Sequence, residues 1–193
     1  LRRKGSDPFF LALIGSIATA LTDRGKEMLL TRVREDRLTS AGQLYDAGRV
    51  LGVIVIGQWH HHDQLNALAA RQVPLVVLGA HLPQQLYCTV GSDNVDGGRV
   101  ATQHLLAAGR KRIAFLGDIS EPEVTQRYDG YLKAHAACGV KPLDKLRVST
   151  SFDADEARVQ ISKLVGGRTK FDGIFAASDV IAMTAISALM QAG

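Results

Sequence analysis

Gly91-Ser92-Asp93-Asn94-Val95-Asp96-Gly97-Gly98-Arg99 opens a stretch that runs through Gln103-His104-Leu105, Gly109-Arg110-Lys111-Arg112-Ile113 and Phe115-Leu116-Gly117 to Gln126-Arg127-Tyr128-Asp129-Gly130-Tyr131. Asp96, ahead of the periodic Val100, Leu105 and Leu106, reads as a helix start, and Gly109 as its stop. Ile113-Ala114-Phe115-Leu116 reads as a buried strand, with Gly117 leaving room at its carboxyl end. Arg127 then falls on the first turn of the next helix. The positive end of the helix dipole disfavours a cation there, so a ligand or carboxylate partner accounts for it better than a bare surface arginine does. A small-molecule site at a strand end is implied.

On either side the same alternation continues. Pro8 opens a helix with Leu11, Ile14, Ala18 and Leu21 at helical spacing until Gly25 closes it. A short strand is predicted at Met28-Leu29-Leu30-Thr31, a helix over 40–49, a strand over 52–56, a helix over 63–71, a strand over 74–78 and a weaker strand over 88–90. Beyond Ile113-Ala114-Phe115-Leu116 the pattern predicts helices over 124–138, 155–165 and 181–191, with strands over 146–149 and 173–176. Apolar strands each followed by a helix mark an α/β chain with parallel sheets covered on both faces and right-handed crossovers. Ligands on such sheets bind at the carboxyl ends of strands, where polar clusters fall after Ile56, Leu78, Leu116, Ser149 and Ala176.

Composition excludes several classes. The 193 residues are 46% hydrophobic and 22% charged, enough for one large core or two small ones. The longest apolar runs, residues 50–56 and 73–78, are far shorter than the roughly 20 residues of a membrane span, and no cleavable leader is evident, so a cytoplasmic protein is expected. Cys88 and Cys138 have no metal spacing partner and read as reduced cysteines packed as small hydrophobes. A net charge of +4 is spread over scattered basic residues, which reads as a solvated surface, and there is no helix-turn-helix. His60-His61-His62 on a loop point in different directions, unlike a zinc-binding pair at i, i+4; Asp63 reads as the cap of the next helix, and Gln58 or Trp59 as a lining of the cleft. No nucleophile elbow, phosphate loop or carboxylate pair stands out. A binder rather than an enzyme is expected, with no cofactor and no metal.

From Ser6-Asp7-Pro8-Phe9-Phe10 to Ala177-Ser178-Asp179 the chain resembles the effector-binding core of the LacI family of bacterial transcription regulators; Arg110-Lys111, where the family usually has Gly-His, departs from it at a surface turn. The resemblance implies a two-lobed, periplasmic-binding-protein-like fold. Residues 1–5 match the end of a hinge segment, 6–116 a first lobe and 117–193 a second lobe that is incomplete. The family's first strand is missing between Lys4 and Ser6, which suggests absent residues at Gly5/Ser6.

The resemblance also assigns a site. Phe9 and Phe10 resemble the aromatic wall on which a sugar or purine ring stacks, one ring in the pocket and one in the core; a hydrophobic staple or core pair is the alternative. Asp7 accepts ligand hydroxyls or caps the Pro8 helix. Arg127 matches a ligand-contacting arginine, expected to face Phe9 across the cleft. Phe152 closes the pocket from the second lobe or anchors a loop, and Asp96 and Asp179 cap their helices and reach the ligand. The implied partners are a small-molecule effector, a carbohydrate in chemical class, operator DNA read by a headpiece outside this chain, and a second copy meeting it through the Pro8 or Ser40 helix. A periplasmic sugar-binding protein of an uptake transporter is the rival reading, and a small α/β hydrolase or kinase a third.

Overall fold

The computed structural model describes residues 8–31, 38–58 and 60–193. Helix and strand alternate: α1 (Pro8–Thr22), α2 (Thr39–Asp46), β1 (Val53–Ile56), α3 (His62–Ala70), β2 (Leu75–Leu78), β3 (Cys88–Val90), α4 (Asn94–Ala107), β4 (Ile113–Leu116), α5 (Pro122–Ala137), β5 (Arg147–Val148), α6 (Ala154–Val165), β6 (Gly173–Ala176) and α7 (Asp179–Ala192). The strands form two parallel three-stranded sheets, ordered β1-β2-β3 and β5-β4-β6.

β4 is buried along its whole length because it is the central strand of the second sheet. Its neighbours come from later in the chain: Ile113 to Leu116 pair with Gly173 to Ala176 on one side, and Phe115 and Leu116 with Arg147 and Val148 on the other. The expected division at residue 116 falls at the end of β4, whose strand partners all lie C-terminal to it. β4 belongs with the strands C-terminal to it, and so does α4, which packs on α5 and leans Leu105 and Leu106 on the second core. The chain passes from one sheet to the other between Val90 and Asn94.

Aromatic side chains seat α5 on β4. Phe115 stacks on Phe175 (centroids 5.2 Å apart) and meets Tyr128 and Tyr131 edge-on at 4.8 and 5.4 Å. Such pairs contribute roughly 0.5–1.5 kcal/mol each beyond their burial. The Tyr131 hydroxyl donates to the Ile113 carbonyl at 2.8 Å. Burial, and then the neighbouring Tyr128, push the Tyr131 phenol well above its ordinary range, so it remains a neutral donor.

The first sheet packs one face against α3 and the segment leading into α2, through Val55, Leu75, Val77, Leu65, Leu68 and Leu38. Its other face is less covered among the described residues. Ile54, Val76 and Val90 alternate onto it and are exposed, and α1 buries none of its residues. Parallel sheets flanked by helices are as expected, and α1 keeps only a half-buried stripe of Phe10, Leu13, Ile14, Ile17, Ala18 and Leu21. Met28-Leu29-Leu30-Thr31 is likewise exposed and forms no strand. A strand needs a neighbour to complete its backbone hydrogen bonds, and among the described residues no strand lies beside it.

Cap positions differ from the sequence reading by a few residues. Asp93, not Asp96, caps α4, its carboxylate accepting from the Asp96 N–H at 2.8 Å. Ser178, not Asp179, caps α7, and His61 precedes α3 where Asp63 was expected to cap. Cys88 and Cys138 are free as expected but exposed, so they are not packed as small hydrophobes.

The turn before β4 is tied down by Asp172, whose carboxylate accepts from the N–H groups of Lys111 (3.1 Å) and Arg112 (2.8 Å). Partial burial pushes this carboxyl up, but those hydrogen bonds and the charges of Arg112 and Arg110 outweigh it and hold it below its ordinary value of 3.8. The stabilisation is present above that value and lost as pH falls through the lower folded value. Asp172→Ala is therefore expected to cost about 1 kcal/mol at pH 7, as befits a partly solvated charge-assisted bond. Urea denaturation of both proteins should show the difference shrinking as pH falls below the ordinary carboxyl value of 3.8.

Candidate functional site

Arg127 lies in the second turn of α5, one turn further along than the sequence suggests. Its Nε donates to Asn94 Oδ1 at 2.9 Å, and its Nη1 to the carbonyl of Ala177. Asn94 begins α4, just past β3, and Ala177 follows β6. The guanidinium thus ties the carboxyl end of β6 to the start of the helix that leaves the first sheet. β5 and β6 diverge to either side of β4 beside it, and the carboxyl ends of strands at such a divergence leave a crevice for ligands.

Gly98 and Gly130 set this geometry. A Cβ on Gly98 would lie 2.1 Å from the Arg127 carbonyl oxygen, and one on Gly130 would lie 2.0 Å from that of Val95. α4 and α5 therefore touch backbone to backbone, which brings Asn94 within reach of Arg127. Gly117, at the end of β4, is similarly tight: its Cβ would lie 2.6 Å from that of Ala177.

Asn94 is buried, and its Nδ2 donates to Gln126 Oε1 at 3.4 Å. Gln126 Nε2 in turn donates to the His81 carbonyl at 2.8 Å, reaching the loop after β2. Neither amide stands out in the sequence as a site residue. The available signal is their position: Asn94 sits inside the quoted stretch after β3, and Gln126 directly precedes Arg127.

The other expected residues are less gathered. Phe152 is half-buried in the loop between β5 and α6, packed against the second core, and Asp179 is exposed at the first position of α7. Together with Arg127 they share the carboxyl edge of the second sheet. Asp96 is exposed on α4 and pairs with Arg99 at 2.6 Å. Phe9 is 63% exposed at the start of α1 and Phe10 half-buried; neither belongs to either core, so the expected core ring is not found. Asp7, Trp59 and the Gly5/Ser6 junction lie outside the described residues.

Gln58 does not line the cleft. It is fully buried, its Nε2 donating to the Ala80 carbonyl (2.6 Å) and the Tyr87 hydroxyl (3.0 Å), in space that the missing Cβ of Gly79 leaves open. His62 Nδ1 meets the same hydroxyl at 2.8 Å. Burial raises the Tyr87 phenol, with the Gln58 bond opposing it. This network fastens the ends of β1 and β2 to each other.

Two parallel sheets, whose carboxyl ends are linked through the Arg127, Asn94 and Gln126 side chains, define a two-lobed α/β protein. The relationship to known proteins is equally direct. The chain belongs to the family described as periplasmic binding proteins and sugar binding domain of LacI family, whose profile matches residues 1–193. It is 30% identical to the HTH-type transcriptional regulator DegA of Bacillus subtilis (strain 168), over 95% of this chain and 56% of DegA. It is 28% identical to the HTH-type transcriptional regulator CelR of Thermobifida fusca, over 97% of this chain and 56% of that protein. A solved transcriptional regulator CelR–cellobiose complex superposes with a TM-score of 0.81 at 28% identity, covering 97% of this chain and 59% of that one. The chain thus spans little more than half the length of these relatives. Among the described residues no helix is long and apolar enough to cross a membrane.

Proposed function

We propose that this chain is the effector-sensing core of a LacI-type DNA-binding regulator. A sugar or related small metabolite enters the cleft between the sheets and changes the angle of the lobes, and that change alters the grip of a DNA-reading segment on its operator. The observation that carries this reading is Arg127, a forked donor fixed between the start of α4 and the residue that follows β6. A guanidinium there can donate to sugar hydroxyls while Phe152 supplies an apolar wall from the same edge. Phe9, Phe10, Asp7, Asp96 and Asp179 are further candidate contacts, with Phe9 and Phe10 at the start of α1 reaching the ligand once the first lobe closes over it. Similarity to a regulator solved with cellobiose supports a saccharide. The lobes divide before Asn94, and the working form is a cytoplasmic homodimer that binds, and does not transform, its effector.

A ligand shifts such an equilibrium only by binding one lobe arrangement better than the other. Calorimetric titration with cellobiose and a panel of mono- and disaccharides should therefore find one that binds, and the same sugar should change DNA affinity of the protein carrying its DNA-reading segment at least several-fold. Tight sugar binding without any change in DNA affinity would favour a transport binding protein instead.

A further inference from the structure

The hydrogen bonds around Arg127 form a chain with a single direction. Arg127 Nε donates to Asn94 Oδ1 (2.9 Å), Asn94 Nδ2 to Gln126 Oε1 (3.4 Å), and Gln126 Nε2 to the His81 carbonyl (2.8 Å). Its first three members stand on α4 and α5, which pack on the second sheet; its last acceptor lies in the loop after β2, in the first. We infer that Asn94 and Gln126 are positioning residues forming a relay that couples the state of Arg127 to the arrangement of the lobes. Regulation of that site by this relay rests on the function proposed above.

The physical argument is that each amide uses both ends at once. With Arg127 on its Oδ1, Asn94 is turned so that its N–H₂ faces Gln126, and Gln126, accepting there, must aim its own N–H₂ at His81. Hydrogen bonds in series polarise and orient one another. A ligand that draws the guanidinium away from Asn94 frees that amide to rotate, and the bond that crosses to His81 loses its orientation. The lobes then separate more readily. Nothing in the relay requires Gln126 or Asn94 to touch the ligand.

The protein carries its own reporters. Its two cysteines are Cys88 on β3 and Cys138 just past α5; both are free and exposed, one on each side of the crossing bond. Spin labels on them give, by pulsed electron resonance, the distribution of distances between the lobes. In the ligand-free protein Gln126→Leu, which keeps the bulk and loses both hydrogen bonds, is expected to change the ratio of close to open populations about two- to tenfold, the scale of one solvent-touched hydrogen bond. Gln126→Glu, which keeps the acceptor for Asn94 but loses the donor to His81, should move it the same way. Asn94→Asp, which keeps the acceptor for Arg127 but loses the donor, should shift it too, and the double variant Asn94→Asp/Gln126→Leu should shift it no further than the larger single change.

Stranding the buried Asn94 amide also lowers the thermal midpoint, so distances are compared well below every midpoint, where a loss of folding stability alone leaves the ratio of close to open populations unchanged. Unchanged distances in both Gln126 variants, or additive shifts in the double variant, would overturn the relay. Cellobiose serves as the probe for the remaining arm. If it fails to bind while the ligand-free distances respond as expected, the relay stands and the saccharide reading fails. If it binds and moves the wild-type distances but moves every variant equally, the saccharide reading stands and the relay does not.

Discussion

Gly130→Ala is expected to lower the stability of the second lobe by about 3 kcal/mol or more, among the largest effects of any single methyl group in this protein. The added carbon would meet the Val95 carbonyl oxygen at 2.0 Å and the Arg99 nitrogen at 2.6 Å. Both are backbone atoms of α4 that cannot swing aside, so the two helices must part. Overpacking costs typically 1–3 kcal/mol when side chains can adjust, and more when they cannot. Gly98→Ala meets the Arg127 carbonyl in the same way, whereas a Cβ on Gly97, its neighbour in sequence, meets nothing within 4 Å. Gly97→Ala should therefore be neutral or stabilise by up to about 1 kcal/mol through helix propensity. Urea midpoints of the three variants, followed by tyrosine absorbance or fluorescence in the α5 cluster, should separate them in that order. Equal midpoints for Gly97→Ala and Gly98→Ala would show that the helices do not touch as described.

The second large effect is expected at Arg127. Arg127→Ala removes the forked donor from the cleft, and hydrogen bonds from a charged group are worth about 1.5–3 kcal/mol, so saccharide affinity should fall on the order of 10- to 100-fold or more. It also strands the buried Asn94 Oδ1 and the Ala177 carbonyl, which adds a stability loss of about 1–3 kcal/mol for each group left unsatisfied and out of reach of water. Arg127→Lys keeps the charge but not the planar fork, and a lysine cannot serve both acceptors in the arginine's geometry. It should recover part of the stability and little of the affinity. Calorimetric titration beside a thermal melt of the two variants separates these contributions. Affinity unchanged in Arg127→Ala would place the ligand elsewhere.

Much of this arrangement is legible in the chain itself, and the reasons it stops being legible are physical. β4 is readable because four consecutive apolar residues between Arg112 and Gly117 admit burial on both faces, and β3 and β6 are found at their predicted bounds. Which sheet β4 joins is another matter, because pairing is decided by partners thirty and sixty residues later and leaves no mark on local periodicity. Met28-Leu29-Leu30-Thr31 shows the converse: strand-like residues form no strand where nothing lies alongside. Capping reads well in type and poorly in position. Asp93 and Asp96 both satisfy the pattern, and the choice rests on which carboxylate reaches back to a free N–H. Arg127 is legible from its sequence surroundings and from the family pattern. Asn94 and Gln126 are not, since an amide acquires meaning only from the atoms it faces, and those lie on other elements.

Among the described residues the hydrophobic interior falls into two clusters that share no residue, one including Leu65, Val77 and Leu68, the other Phe115, Tyr131 and Ile161. Among the described residues the first buries fewer side chains and leaves Ile54, Val76 and Val90 exposed on the other face of its sheet. Each half packs around its own cluster, so the two can unfold in separate steps. Scanning calorimetry should therefore record a composite endotherm whose van't Hoff enthalpy falls short of the calorimetric one, with the half carrying β1 to β3 melting at the lower temperature.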